Sequence, residues 1–235
     1  MLGNNWLALL VTFFLALAWQ RLNDFIAQRG WTSSALSRKF IHIGTGPIFV
    51  ACWLLFENTP SARYMAALVP LAFTVQFFLI GTGILQDSAA VQAMSRSGDR
   101  REILQGPLYY GIIHVLVTIL YWYDTPVGIV ALMLLCGGDG LADILGRRLG
   151  HSRLPWNKEK SWAGSFGMFA GGWFFSILIM AVYVTNSIFS APLTGYLLPL
   201  GLIALVGTAV ESLPYHDIDN ISVTLAALLA GRLLL

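Results

Sequence analysis

The chain carries little charge. Asp, Glu, Lys and Arg make up 11% of its 235 residues, whereas hydrophobic residues make up 57% and the mean hydropathy is +0.70. Soluble domains have about 25% charged residues, so this composition excludes an ordinary soluble protein and indicates a polytopic membrane protein. The net charge of +2 is too small to indicate a nucleic-acid partner, and we expect none.

Cysteine and the common nucleotide-binding signatures are also scarce. The two cysteines, Cys52 and Cys136, lie in apolar runs without a CxxC pair or a His at metal-ligand spacing, so we expect neither a disulfide nor zinc. The P-loop motif, GxxxxGK followed by Ser or Thr, is missing from the sequence. No GxGxxG follows a strand pattern either, so a P-loop and a Rossmann fingerprint are both excluded. Internal repeats and long soluble insertions are missing too. We therefore expect residues 1–235 to form a single integral membrane domain.

Long apolar runs dominate what is present. A helix needs about 17 to 25 such residues to cross ~30 Å of hydrocarbon, and eight segments meet that length approximately: 4–20, 40–56, 64–85, 107–123, 127–145, 163–184, 193–210 and 220–235. The predicted fold is an all-α bundle of about eight transmembrane helices, within a range of seven to nine. The first run has no basic flank of the signal-peptide kind, so we expect it to remain as a helix.

The basic residues orient this layout. Twelve of the 14 Lys and Arg residues fall on one side: Arg21, Arg29, Arg38, Lys39, Arg96, Arg100, Arg101, Arg147, Arg148, Arg153, Lys158 and Lys160. Only Arg63 and Arg232 fall on the other side. The positive-inside rule makes the basic side cytoplasmic, or stromal in a plastid, and with eight spans both termini lie on the opposite side.

The first polar cluster on the basic side is Arg38, Lys39 and His42, which occupy neighbouring positions at the start of the second span. The cationic pair could bind phosphate or could simply anchor the helix at the membrane surface. His42 favours a function, and we consider it a candidate catalytic residue.

The second cluster is the pair Asp139 and Asp143, which end a long apolar run. Carboxylates are costly at membrane depth unless they contact water, a cation or a partner charge. Four residues apart, they share one helix face, and such oxygen ligands suit Mg²⁺. Nearby glycines would either allow phosphate to approach the backbone or allow helices to pack closely; the candidates for phosphate contact are Gly138, Gly140 and Gly146.

The third cluster is the loop HSRLPWNKEKSWAGS. Lys158 and Lys160 could neutralise triphosphate oxygens. Ser161 is a candidate N-cap for the next span, and the first helical turn with Gly164 and Ser165 would present backbone N–H groups to an anion.

The fourth cluster, ESLPYHDIDN, places three carboxylates on the basic side near the C-terminus. It is either a solvated turn or a group that holds a cation or accepts a proton from a hydroxyl. Glu211 and Asp217 are the candidates for the second role. Asn220 could hydrogen-bond a nucleobase, although the spacing does not choose between CTP, UTP and ATP.

These motifs resemble the polyprenol kinase family of integral membrane enzymes, which includes dolichol kinase and phytol kinase. The resemblance rests on GDGLADILGRRLG, LPWNKEKSWAGS and ESLPYHDIDN, together with Arg38, Lys39 and His42. Many dolichol kinase-like members have KTxEG after the basic loop, whereas this chain has KSWAGS with Ala163. That difference is similar to the phytol kinase branch of plants and cyanobacteria.

The resemblance implies transfer of a γ-phosphoryl group, usually from CTP, to the primary hydroxyl of a membrane-dissolved isoprenoid alcohol. Phytol is the expected acceptor, as in phytol salvage for tocopherol synthesis. Asp139 and Asp143 would then hold Mg²⁺ on the nucleotide, Lys39, Lys158 and Lys160 would neutralise its oxygens, and Glu211 or Asp217 would orient the hydroxyl. The alternatives are a cytidylyltransferase that forms a CDP-lipid and, outside enzymes, a lipid-phosphate transporter.

Overall fold

A computed structural model of the protein describes residues 2–95, 97–214 and 218–235. These residues form ten α-helices: α1 (Asn5–Gln28), α2 (Ser34–Cys52), α3 (Ala62–Thr82), α4 (Ser88–Met94), α5 (Gly106–Leu120), α6 (Pro126–Met133), α7 (Asp139–Leu149), α8 (Trp162–Thr185), α9 (Leu193–Glu211) and α10 (Asp219–Leu234). Short 3₁₀ turns occupy Trp53–Leu55 and Arg100–Leu104, and a π-helical turn occupies Leu134–Gly138. No strand is found in the described part of the chain, so the prediction of an all-α fold is confirmed.

Helix ends follow local sequence signals. The Asn4 side chain caps α1 by accepting hydrogen bonds from the backbone N–H groups of Trp6 and Leu7, at 2.9 and 3.2 Å. Pro126 begins α6, where its missing N–H costs nothing because the first turn has no acceptor for it. Gly83 ends α3 with a φ of +84°, a left-handed conformation that glycine adopts without steric cost.

Six helical segments are long and apolar enough to cross a membrane, judged by length and composition within the described residues: Asn5–Gln28, Ala62–Thr82, Arg100–Leu120, Pro126–Leu149, Trp162–Thr185 and Leu193–Glu211. The protein is therefore a polytopic helical membrane protein. Two further predicted spans, 40–56 and 220–235, correspond to α2 and α10. α10 has only 16 residues, and α2 carries Arg38 and Lys39 in its first half.

The contacts divide the chain into two compact units. The first comprises Met1–Ile41 and Cys52–Leu120. Within it α3 packs on α5, where Gly111 lies against the Thr74 side chain, and α1 packs on α3 through the stacked rings of Phe13 and Phe73, 5.6 Å apart. The single-domain organisation stays a prediction.

The second unit comprises His42–Ala51 and Tyr121–Leu235. All eight residues of α6 and all five of the following π-helical turn are buried, so this segment forms the core of the unit. Helix α8 packs on the turn, on α7 and on α9, and α10 packs on α6 and α9. Every candidate site residue of the second, third and fourth clusters that the structure describes belongs to this unit.

Candidate active site

The basic loop between α7 and α8 is folded into a small hairpin. Arg153 and Ser161 form an isolated antiparallel bridge, the Leu154 N–H donates to the Lys160 carbonyl at 3.1 Å, and the Leu154 side chain is fully buried. The buried Asn157 side chain donates from Nδ2 to the carbonyl oxygens of Ser212 and Leu213, both at 3.2 Å. The loop is therefore fastened to the C-terminal end of α9, which fixes the position of Lys160.

Lys160 joins two carboxylates. Its Nζ donates to Glu211 Oε1 at the end of α9 and to Asp219 Oδ2 at the start of α10, the second contact measuring 2.8 Å. The Lys160 side chain is 25% exposed, and that of Glu211 only 5%. Burial lowers the pKa of Lys160, but the charges of the two carboxylates and their hydrogen bonds outweigh burial and raise it to about 12. The ammonium group is therefore charged at neutral pH.

The second oxygen of Glu211 is left for another group. Oε2 is buried and accepts no hydrogen bond from the described residues. The charges of Asp139 and Asp219 also act on Glu211, so three carboxylates and one ammonium share this end of the unit. A buried carboxylate oxygen without a donor is costly, and a cation or a substrate hydroxyl would satisfy it.

A π-helical turn sets the position of Asp139. The turn ends at Gly138, and Asp139 is the first residue of α7. His42 Nε2 lies 3.1 Å from the carbonyl oxygen of Leu135, within the turn, and 3.2 Å from Asp139 Oδ2. Since both oxygens accept, Nε2 carries a hydrogen that it donates to them. π-Helical turns inside α-helices are frequent at functional sites, and this one brings His42 and Asp139 together.

Asp143 has a different environment. Its Oδ1 accepts a hydrogen bond from Arg147 Nε at 2.9 Å, an i,i+4 ion pair within α7. Asp139 and Asp143 lie on one helix, as predicted, but a group of three or more His, Cys, Asp or Glu side chains arranged to hold a metal is not found among the described residues. The assignment of Mg²⁺ to the two aspartates stays a prediction.

The glycines around Asp139 are packed against protein atoms. A Cβ at Gly140 would overlap the Ile43 side chain, and one at Gly138 would lie 2.8 Å from Met168 Sδ. Gly146 lies opposite Gly164, with 3.5 Å between the position of its Cβ and the Cα of Gly164. Close helix packing, one of the two functions that the sequence left open, is therefore what these contacts show. A phosphate contact stays a prediction.

The remaining candidates are placed as follows. Ser161 caps α8 by accepting the Gly164 N–H at 3.1 Å, and the Ser165 hydroxyl in the first turn is buried without a partner among the described residues. Lys158 is exposed, and the Asn220 carbonyl accepts the Thr224 hydroxyl at 2.6 Å. Asp217 lies outside the described residues.

Arg38 and Lys39 belong to the first unit, where Arg38 Nη1 donates to the carbonyl of Ser95 at 2.7 Å. This contact ties Arg38 to the protein's own backbone. Its expected role in phosphate binding, and that of Lys39, stay predictions.

Sequence reasoning did not commit to two residues that hold the site. Asp219 is the second acceptor of Lys160, and Asn157 fastens the loop to α9. The available signal for Asp219 was its place in the acidic run ESLPYHDIDN. Asn157 had no such signal, because its partners are backbone carbonyls more than 50 residues away.

A buried ionic cluster at the ends of membrane helices is characteristic of an integral membrane enzyme or transporter rather than of a packing interface. The chain is 42% identical over 216 residues to a probable chloroplastic phytol kinase of Triticum aestivum, which covers 91% of this chain and 72% of that protein. It is 38% identical to the chloroplastic phytol kinase 1 of Arabidopsis thaliana, over 89% of this chain and 70% of that protein.

The chloroplastic farnesol kinase of the same plant is 41% identical over 89% of this chain and 68% of its own length. The chain therefore belongs to the family of polyprenol kinases that includes phytol kinase and farnesol kinase, as its motifs predicted. No family model matches it, and no solved structure matches it significantly.

Proposed function

We propose that this protein transfers the γ-phosphoryl group of a nucleoside triphosphate, with CTP as the expected donor, to the primary hydroxyl of a membrane-dissolved isoprenoid alcohol, most simply phytol. The observation that carries the proposal is the buried Lys160–Glu211 pair with its unpartnered Oε2, in a chain whose relatives are named phytol kinase and farnesol kinase. The cluster terminates apolar helices, where an alcohol dissolved in lipid presents its hydroxyl.

A divalent cation on the nucleotide is part of this proposal, and oxygen ligands in the second unit would hold it. Asp139 and Asp143 offer hard oxygen ligands, and the orphaned Oε2 of Glu211 adds an acceptor in the same unit. Mg²⁺ bound there would neutralise the oxygens of the triphosphate, which is the chief requirement of a loose phosphoryl-transfer transition state.

The chain's own side chains would orient the acceptor. In the transfer, the alcohol oxygen bonds to the γ-phosphorus, the bond from that phosphorus to the bridging oxygen breaks, and the nucleoside diphosphate leaves. Glu211 Oε2 would accept the hydroxyl proton, either while the bond to phosphorus forms or after it has formed. His42 would hold Asp139 in one rotamer through the 3.2 Å contact. By the distribution of Lys and Arg, the site would open on the cytoplasmic or stromal face.

Product analysis tests this proposal. Purified protein in lipid nanodiscs is given labelled CTP, UTP or ATP with phytol, geranylgeraniol or farnesol. We expect a lipid monophosphate and a nucleoside diphosphate in equal amounts. Release of pyrophosphate with a CDP-lipid would establish a cytidylyltransferase instead, and substrate flux into proteoliposomes without phosphoryl transfer would establish a transporter.

A further inference from the structure

The two lysines of the basic loop have different environments, although both were predicted to neutralise phosphate oxygens. Lys158 is exposed and makes no hydrogen bond or ion pair with the residues that the structure describes. Lys160 is largely buried, and two of its three N–H donors are used by Glu211 and Asp219. A lysine whose charge is already compensated by two carboxylates has little left with which to attract phosphate.

Lys160 also determines which oxygen of Glu211 is available. Its ammonium group holds Oε1, and Oε2 is left buried without a donor. Because the same ammonium holds Asp219, it links the last residue of α9 to the first residue of α10. An orientation of the Glu211 carboxylate that places neither oxygen on Lys160 would lose this largely buried ion pair, a loss that is strongly unfavourable.

We infer that Lys160, together with Asp219, is a positioning residue that aims Glu211 Oε2 at the acceptor hydroxyl, and that Lys158 is the lysine of this loop that binds the nucleotide phosphates. This inference rests on the proposed function. Asp219 would act indirectly: its carboxylate holds Lys160 through the 2.8 Å hydrogen bond and would not contact a reacting atom. Asn157 supports the arrangement by fastening the loop to α9.

The kinetic consequences of the two roles differ. A positioning defect lowers kcat while substrate binding is kept, and a lost phosphate contact raises KM for the nucleotide. A misplacement of about 1 Å costs about 10²-fold in rate. We therefore expect K160M to lower kcat by about 10²-fold with the KM for CTP changed less than about twofold. We expect K158M to raise that KM by about tenfold with kcat nearly unchanged.

Matched variants keep the test decisive. R148M removes an exposed positive charge from the neighbouring helix α7 and should match the wild type in both constants. D219N leaves the Lys160–Glu211 pair in place, so it serves if K160M does not fold, and we expect it to lower kcat with an unchanged KM for CTP. K160R should recover part of the activity lost in K160M, since it restores the charge.

The outcomes separate this inference from the proposed function. A wild-type protein that phosphorylates no prenyl alcohol would overturn both. An active wild type would uphold the kinase, and K160M or D219N variants with a raised KM for CTP and a wild-type kcat would then overturn the positioning role alone.

Discussion

Glycine at the contact surface of α7 and α8 allows a quantitative test of how the site is held together. A Cβ added at Gly167 in α8 would lie 2.6 Å from the carbonyl oxygen of Leu141 and 2.9 Å from its carbon, both backbone atoms of α7. Ordinary contact begins at 3.4 Å, so the two helices would have to separate by about 0.8 Å. Side-chain rotation cannot relieve this overlap because backbone atoms cause it.

The matched control is Gly201 in α9. Its Cβ would lie 3.5 Å from the nearest atom, Trp173 Nε1, so alanine fits there. Replacing glycine by alanine within a helix stabilises the folded protein by about 1 kcal/mol. Forcing an extra methyl group into a closely packed contact destabilises it by about 1 to 3 kcal/mol. Because backbone atoms cause the overlap at Gly167, its cost should lie in the upper part of that range, about 2 to 3 kcal/mol. After the helical gain of about 1 kcal/mol is subtracted, we expect G167A to be destabilised by about 1 to 2 kcal/mol, with Tm lower by about 2 to 8 °C. We expect G201A to be neutral or slightly more stable.

Thermal unfolding in detergent, followed by light scattering or intrinsic fluorescence, measures both variants. G167A should also lose activity at temperatures where it is folded, since α7 carries Asp139 and α8 begins beside Lys160. A G167A protein that melts with the wild type and turns over at the wild-type rate would refute the claim that this close approach positions the site.

Two further predictions concern the ionic groups. H42A removes the donor to Asp139 and to the Leu135 carbonyl, so we expect about 10- to 100-fold more Mg²⁺ to be needed for half-maximal activity; an unchanged Mg²⁺ requirement in a titration of initial rates would contradict this role. Burial lowers the pKa of Lys160, but the carboxylates raise it to about 12. While Glu211 and Asp219 are ionised, the stabilisation from the ion pairs of Lys160 is therefore complete below about pH 10.5 and is lost as the pH rises through about 12. The free energy of unfolding, measured from pH 6 to 9, should therefore have the same pH dependence in the wild type and in K160R. If the wild type loses stability within this pH range and K160R does not, the assignment of a charged Lys160 is contradicted.

Composition and local signals were enough for the fold class. Apolar runs of helix length predicted the membrane helices, because every backbone polar group in hydrocarbon must be satisfied within its own helix. The Ser161 cap was likewise readable, since its partner is only three residues away. The family followed from the motifs around Asp139, Lys160 and Glu211, and the relatives confirm it.

Pairings across the chain could not be read in the same way. The sequence placed His42, Asp139, Lys160 and Glu211 among the candidates, but the contact between His42 and Asp139 depends on a π-helical turn at Leu134–Gly138, which has no compositional signature. The contact between Lys160 and Glu211 joins residues 51 positions apart. That tertiary contact is also what distinguishes Lys160 from Lys158. The two lysines lie two residues apart in one basic loop, so the sequence alone does not separate their roles.

The central claim is that the carboxylates beside the π-helical turn act on phosphoryl transfer, and single-turnover formation of labelled phytyl phosphate by D139N tests it most directly. The substitution is nearly isosteric and keeps an oxygen for His42, so we expect a folded protein with the elution profile and Tm of the wild type. Its rate should fall by about a thousandfold, while G201A, purified in parallel, keeps the wild-type rate. A folded D139N protein that forms phytyl phosphate at close to the wild-type rate would contradict the account.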